Sequence, residues 1–346
     1  MKKTPIFAIN LRKNCILLYS AIFLTSVSVC SLVSKSEIKV NLNPVFIKNI
    51  LLSNNAFTKK PDLIKSVFPF FSFNEKESSS SSKKPQKTPQ AQSPPLVSKA
   101  LGENISVKVS NSTSQAINTA SFMQKAPDFL KTDFEVLILH THTSESYVPS
   151  EKYKYTPSDT FRTLDNNYNM VAVGKVIKSE LEKNGIKVYH DTTTNDYPSY
   201  NQSYNKSCAV AEKYIKDHPN IKVVLDIHRD AIADANGNSV KYVSNINGKS
   251  AACLMMVVGS DLNGLKHDNW DSNLSFAFLL QEHINSMYPS LMRPVNFRKQ
   301  RFNQHLAPGA IIVEVGSNAN TLDEALCGAQ YFAEALSSFI KKTLLE

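Results

Sequence analysis

Residues Val136 to Tyr147 read VLILHTHTSESY, and this stretch decides how the chain is understood. An apolar run of strand length stops abruptly at His140 and gives way to polar residues. Two later segments repeat the pattern: Val223 to Asp230 read VVLDIHRD, and Ile311 to Asn318 read IIVEVGSN. Continuous apolar runs of this length suit strands buried on both faces of a parallel sheet. In such sheets ligands bind at the carboxyl ends of the strands. Imidazole and carboxylate groups gathered at one such edge can hold a divalent metal, so the pattern predicts a zinc hydrolase site.

Outward from that stretch the chain alternates strand and helix. Phe134–His140 reads as a first strand, and Asn169–Asn184 carries apolar residues at helical spacing, with Gly185 where a helix-ending glycine belongs. Ile186–His190 is a second strand, Tyr204–Lys216 a helix and Ile221–Ile227 a third strand. Val240–Gly259 reads as a hairpin insert, Asn273–Met287 as a helix and Ala310–Val315 as a late strand. The last helix runs from Thr321 to Lys342, with Thr321 as its cap and Glu324 three residues on. The expected fold is α/β, a mostly parallel twisted sheet with helices on both faces.

Within that frame His142 and His228, each close to the end of a buried strand, are the expected metal ligands. Two histidines and one carboxylate make a three-ligand zinc site with an open position. Glu145, three residues after His142, is favoured as the third ligand, with Asp165 as the alternative. His140, which shares a strand face with His142 if the period of two continues, is held in reserve. Glu314 interrupts an otherwise apolar strand. A buried carboxylate is costly unless paired or used, so it reads as a general base, with a structural ion pair as the plainer explanation.

The first third of the chain has another character. Residues 1–13 are short and basic, and residues 14–34 contain an uncharged run from Cys15 to Val33, near the length that spans a bilayer. The basic flank predicts a cytoplasmic N-terminus and a body on the extracytoplasmic side. With no good small-x-small site after the run, an uncleaved anchor is favoured over a cleaved signal peptide, the rival reading. Residues 35–73 read as a juxtamembrane segment, 74–130 as a Ser/Pro/Lys-rich linker followed by an arm, and 131–346 as the catalytic domain. The formal charge of +9 suits an anionic surface such as a cell wall or acidic lipid. No arginine–aromatic interleaving points to nucleic acid. Five cysteines without a C-x-x-C spacing exclude a disulfide framework and a cysteine-ligated zinc.

The segments HTHTSESY (140–147), DIHRDA (226–231), RFNQ (301–304), EVGSN (314–318) and DYPSYNQSY (196–204) together resemble the stage II sporulation protein P family of endospore-forming bacteria. The resemblance runs from about Phe134 to the C-terminus. It implies a membrane-anchored peptidoglycan hydrolase of engulfment, related to the zinc N-acetylmuramoyl-L-alanine amidases, with possible endopeptidase activity. It also implies action beside stage II sporulation proteins D and M. Carried onto this chain, the amidase pattern gives His142, His228 and Glu314, while the glutamate that opens the first helix in that group has no clean counterpart. Arg229 is then a candidate for stabilising an oxyanion or a peptide carboxylate. Tyr147, Asn303, Gln304 and Asn318 are candidates for glycan or peptide contacts. A catalytically inert wall-binding scaffold and a soluble metallo-esterase or deacetylase are the competing readings.

Overall fold

The computed structural model describes residues 96–103, 105–158 and 160–345. The expected basic N-terminus, anchor, juxtamembrane segment and low-complexity stretch lie outside the described residues. Among the described residues no helix is long and apolar enough to cross a membrane.

The centre is a seven-stranded sheet. In chain order its strands are β2 (Val109–Asn111), β3 (Glu135–Leu139), β4 (Val188–His190), β5 (Ile221–Asp230), β8 (Leu254–Val258), β9 (Val295–Phe297) and β10 (Gly309–Ser317). They lie side by side in the order β2-β9-β8-β10-β5-β3-β4. Every neighbouring pair is parallel except β10 with β8. A smaller sheet is formed by β1 (Leu96–Ala100), β6 (Ser239–Ile246) and β7 (Lys249–Ala252). The helices are α1 (Thr119–Met123), α2 (Met170–Lys183), α3 (Ser203–Asp217), α4 (Trp270–Met287) and α5 (Leu322–Thr343).

Two helix ends follow from their sequences. After α2, Gly185 adopts a φ of 85°, its N–H reaches Glu182 O, and Ile186 N–H reaches Leu181 O. These two bonds close the helix in the left-handed cap that glycine tolerates best. At α5, the Thr321 side chain accepts from Glu324 N while the Glu324 carboxylate accepts from Thr321 N, the reciprocal cap expected there.

Three departures from the sequence reading have local causes. The hairpin insert is split at Cys253: its N–H bonds Tyr242 O, but the next residue, Leu254, bonds Leu291 O. Residues 254–258 thus leave the hairpin and enter the large sheet. Strand β9 was not expected, and β2 and β1 fall in the stretch assigned to linker and arm. These strands are three to five residues long, too short to show a period of two. The domain therefore begins no later than Leu96, well before residue 131.

The two faces of the large sheet are covered unequally. Val136, Ile138, Val223, Leu225, Ile227, Ile311, Val313 and Val315 face a core shared with α2, α4 and α5. The alternate residues Leu137, Leu139, Val224 and Ala310 face α3, through Ala211, Tyr214 and Ile215. Farther along this second face, Met255, Val257 and Ile312 form a small separate cluster with Phe302 packed against it. Helices thus pack on both faces, three against one.

Gly174 on α2 is a close-packing point. A Cβ there would lie 2.6 Å from His190 Nε2 and 2.8 Å from His140 Nε2. Gly174→Ala is therefore expected to destabilise the domain by about 1–3 kcal/mol, as overpacking does. A denaturant titration showing wild-type stability would contradict this.

Candidate metal-binding and hydrolytic site

Parallel pairing brings the carboxyl ends of β3, β5 and β10 to one edge. Leu139 is level with Asp226, and Glu314 is level with His228. By strand alternation Asp226 and His228 share the α3 face with Ile312 and Glu314. His142 arrives from a turn rather than a strand, because β3 stops at Leu139 and residues 141–144 are turn. The His142 and His228 rings then lie 5.1 Å apart and nearly perpendicular, at 86°.

Glu145 joins them. Its Oε2 is 3.8 Å from His228 Nδ1 and accepts from Arg229 N at 3.3 Å. Its Oε1 accepts from Arg162 Nη2 at 3.3 Å and lies 3.9 Å from Arg229 Nη1. Burial alone would raise the Glu145 pKa, but Arg229, the two histidines and Arg162 together hold it below the usual range. Asp165 is not brought to the site: it is exposed, and its carboxylate caps the backbone and side chain of Asn167. The helix that follows is capped by Asn169 instead.

His140 is also removed from the site. It is fully buried, with Nε2 2.8 Å from His190 Nε2 and Nδ1 3.3 Å from Ile227 O. The shared face required the strand to continue through residue 142, and the turn breaks that alternation.

The electrostatics separate the two candidate ligands. Burial pushes the His142 pKa down to about 4, so its imidazole is neutral. Burial would also lower His228, but Asp226, Glu145 and Glu314 raise it to about 10. His228 Nε2 sits 3.0 Å from Asp226 Oδ1, off the direction of a hydrogen bond, so the contact is one of charge. Asp226 itself is fixed by Thr141 N at 2.8 Å and Thr141 Oγ1 at 2.6 Å.

Among the described residues no group of three or more His, Cys, Asp or Glu side chains is already gathered closely enough to hold a metal ion. The donor chemistry nevertheless fits zinc. Two imidazoles and a carboxylate converge, and His142 Nδ1 is buried without a partner. Closing the shell needs side-chain adjustment, with Glu145 turned from its guanidinium partners.

Glu314 carries a buried Oε2 with no hydrogen-bond partner, and it forms no ion pair among the described residues. The structural ion pair is therefore not its role. Burial raises its pKa to about 8, with Asp230 and Glu145 adding to the rise and His228 and Arg229 opposing it.

Four other expected roles are corrected. Arg229 donates from Nε to Ser146 O and from Nη2 to Thr160 O and Phe161 O, so these nitrogens pin the loop, while Nη1 lies 3.9 Å from Glu145 Oε1. Tyr147 is fully buried, its hydroxyl donating to Val315 O. Asn303 donates to Tyr204 O and Ser207 Oγ. Gln304 accepts from Gly259 N and donates to Val257 O. Tyr147 and Gln304 are thus buried with their polar groups engaged, and Asn303 uses its amide nitrogen to hold the start of α3. Asn318 keeps a buried, unpartnered Oδ1 and stays a candidate contact.

Several neighbours were quoted in motifs but given no role: Asp226, Asp196, Tyr200 and Tyr204. Asp196 accepts from Ser144 N, Ser144 Oγ and Arg162 Nη1, locking the turn that bears His142 and Glu145. Tyr200 stacks on His142 with centroids 4.5 Å apart and planes 7° from parallel. Its hydroxyl, 3.2 Å from His142 Nε2, thus sits over the ring rather than in its plane.

The family model for stage II sporulation protein P matches residues 54–337. The chain belongs to this family. Stage II sporulation protein P of Bacillus subtilis (strain 168) is 28% identical over 262 residues, covering 71% of this chain and 61% of the relative. The chain thus spans about three fifths of that relative's length. Among solved structures, the N-acetylmuramoyl-L-alanine amidase AmiC2 of Nostoc punctiforme matches with a TM-score of 0.35 and 18% identity, covering 62% of this chain and 99% of that one. An N-acetylmuramoyl-L-alanine amidase from Clostridium difficile 630 matches with a TM-score of 0.35 and 16% identity, covering 62% and 96%.

The third-ligand assignment is directly testable. Glu145→Ala is expected to lower zinc affinity sharply. Asp165→Ala should leave it unchanged and cost less than about 1 kcal/mol of stability, as an exposed loop carboxylate does. A zinc titration giving the reverse order would move the ligand to Asp165.

Proposed function

We propose that this protein is a zinc-dependent peptidoglycan hydrolase of sporulation, cleaving the amide between N-acetylmuramic acid and L-alanine of the stem peptide. The observation that carries the reading is the pairing of His142, His228 and Glu145 with an unpartnered Glu314 on the α3 face of the sheet. Family membership supplies the sporulation context. The proposal extends to an N-terminal anchor that holds the domain on the extracytoplasmic side, and to cooperation with stage II sporulation proteins D and M.

His142, His228 and Glu145 would hold the zinc. When bound, it would polarise the scissile carbonyl and acidify a water. Glu314 moves the proton: a carboxyl with a pKa near 8 takes up and gives up a proton near neutrality. Its Oε2 accepts the proton of the attacking water and returns it to the leaving nitrogen as the C–N bond breaks. Asp226 keeps His228 in place by charge, while Arg162 and Asp196 fix the turn of His142 and Glu145.

The test is zinc analysis of the purified protein together with mass analysis of digested peptidoglycan. Free stem peptides beginning with L-alanine are expected. A protein that binds sacculi and releases no fragment would instead be a wall-binding scaffold.

A further inference from the structure

Two motifs remain unexplained by this mechanism, the loop around Phe302 and the start of α3, and they meet at Tyr204. Its ring stands edge-on to His142, with centroids 5.7 Å apart and planes at 89°. On another side it packs against Phe302 at 5.9 Å. Its backbone carbonyl is held by Asn303 Nδ2 at 2.8 Å.

The loop that braces it is itself constrained. Phe302 has a φ of 53°, a left-handed conformation that is unfavourable for a side-chain-bearing residue. Gln304 anchors the loop through Gly259 N and Val257 O. Gly259 permits the approach, since a Cβ there would lie 2.1 Å from Gln300 O. Strain maintained in this way, with the ring turned to a site residue, is what a positioning loop shows.

Tyr204 therefore has a fixed ring, yet its hydroxyl makes no hydrogen bond among the described residues and is not sealed from solvent. Burial first, and then the charges of Asp226, Glu314 and Glu145, push its pKa well above the ordinary phenol value. An ordinary phenol is already protonated at neutral pH. It is thus a donor without an acceptor, carried on a ring that stands edge-on to His142. The proposed mechanism lacks such a donor, because the guanidinium of Arg229 is engaged by loop carbonyls and Glu145.

We propose that Tyr204 is a catalytic residue whose hydroxyl donates a hydrogen bond to the carbonyl oxygen of the scissile amide as negative charge develops there. The hydroxyl keeps its proton throughout, so no group is transferred to or from it. The inference rests on the hydrolase reading above. A donor that acts mainly in the transition state lowers kcat when removed and leaves KM nearly unchanged.

The experiment compares full-length wild type and Tyr204→Phe for zinc content, melting temperature, and kcat and KM on a defined muropeptide. The expected result is a loss of about 100-fold in kcat, with KM, zinc content and melting temperature unchanged. A merely structural tyrosine would move melting temperature or zinc content, and that pattern overturns the proposal. Wild-type kcat in Tyr204→Phe overturns it while leaving the hydrolase reading intact. Absence of turnover in zinc-loaded wild type overturns both. Asn303→Ala, which frees the Tyr204 backbone but keeps the hydroxyl, should give a smaller loss in kcat with zinc retained.

Discussion

Replacing Glu314 by glutamine is expected to lower turnover by about 100-fold or more while the protein keeps its zinc. The substitution preserves shape and volume on β10, and Glu314 makes no ion pair among the described residues for it to break. What it removes is the ability to accept a proton. The amide also lacks the charge that burial opposes at this position, where the carboxyl pKa is pushed up to about 8. The variant should therefore be at least as stable as wild type, since an unpartnered buried carboxylate is costly. Steady-state hydrolysis of muropeptides, alongside metal analysis and thermal unfolding, separates the possibilities. Loss of zinc in Glu314→Gln would make Glu314 a ligand.

His228→Ala is expected to abolish both zinc retention and wall hydrolysis. His228 is the centre of the site: it lies level with Glu314 on the neighbouring strand, 3.8 Å from Glu145 and 3.0 Å from Asp226. Removing it deprives three carboxylates of a shared cationic or metal-binding partner. The fold should nevertheless persist. Glu145 keeps Arg162 and Arg229, Asp226 keeps both bonds from Thr141, and β5 stays paired on both sides. Circular dichroism should match wild type while zinc stoichiometry falls to zero. An alanine variant that still binds one zinc and cleaves peptidoglycan would exclude His228 from the site.

How much of this was legible beforehand depends on the range of the interaction involved. The strand runs expected to end at His140, Ile227 and Val315 are local hydrophobic patterns, and they placed the carboxyl ends of three strands at one edge. The helices ending at Gly185 and starting at Thr321 were equally plain, because their caps are set by residues a few positions apart. Glu314 stood out because a charge inside an apolar run has no local reason to be there. By contrast, β2 and β9 are three-residue strands whose partners lie far away in the chain, and no local pattern reveals them.

The site divides in the same way. Residue type and strand-end position singled out His142, His228, Glu145 and Glu314. Separating Glu145 from Asp165, and His142 from His140, required the turn after Leu139, which ends the alternation on which a shared face depends. The fate of the polar candidates was likewise a tertiary matter. Arg229, Tyr147, Asn303 and Gln304 have chemistry suited to substrate, yet each has a loop or core partner supplied from elsewhere in the chain. Tyr204 shows the converse, a tyrosine in a polar stretch that sequence gives no reason to prefer. Its position beside His142 comes from the His142 turn and the loop at Phe302. Sequence alone determined which strands end in reactive groups, because hydrophobic burial is written locally. Only the tertiary structure decided which polar groups stay unpartnered and available, because satisfying a hydrogen bond depends on neighbours from distant parts of the chain.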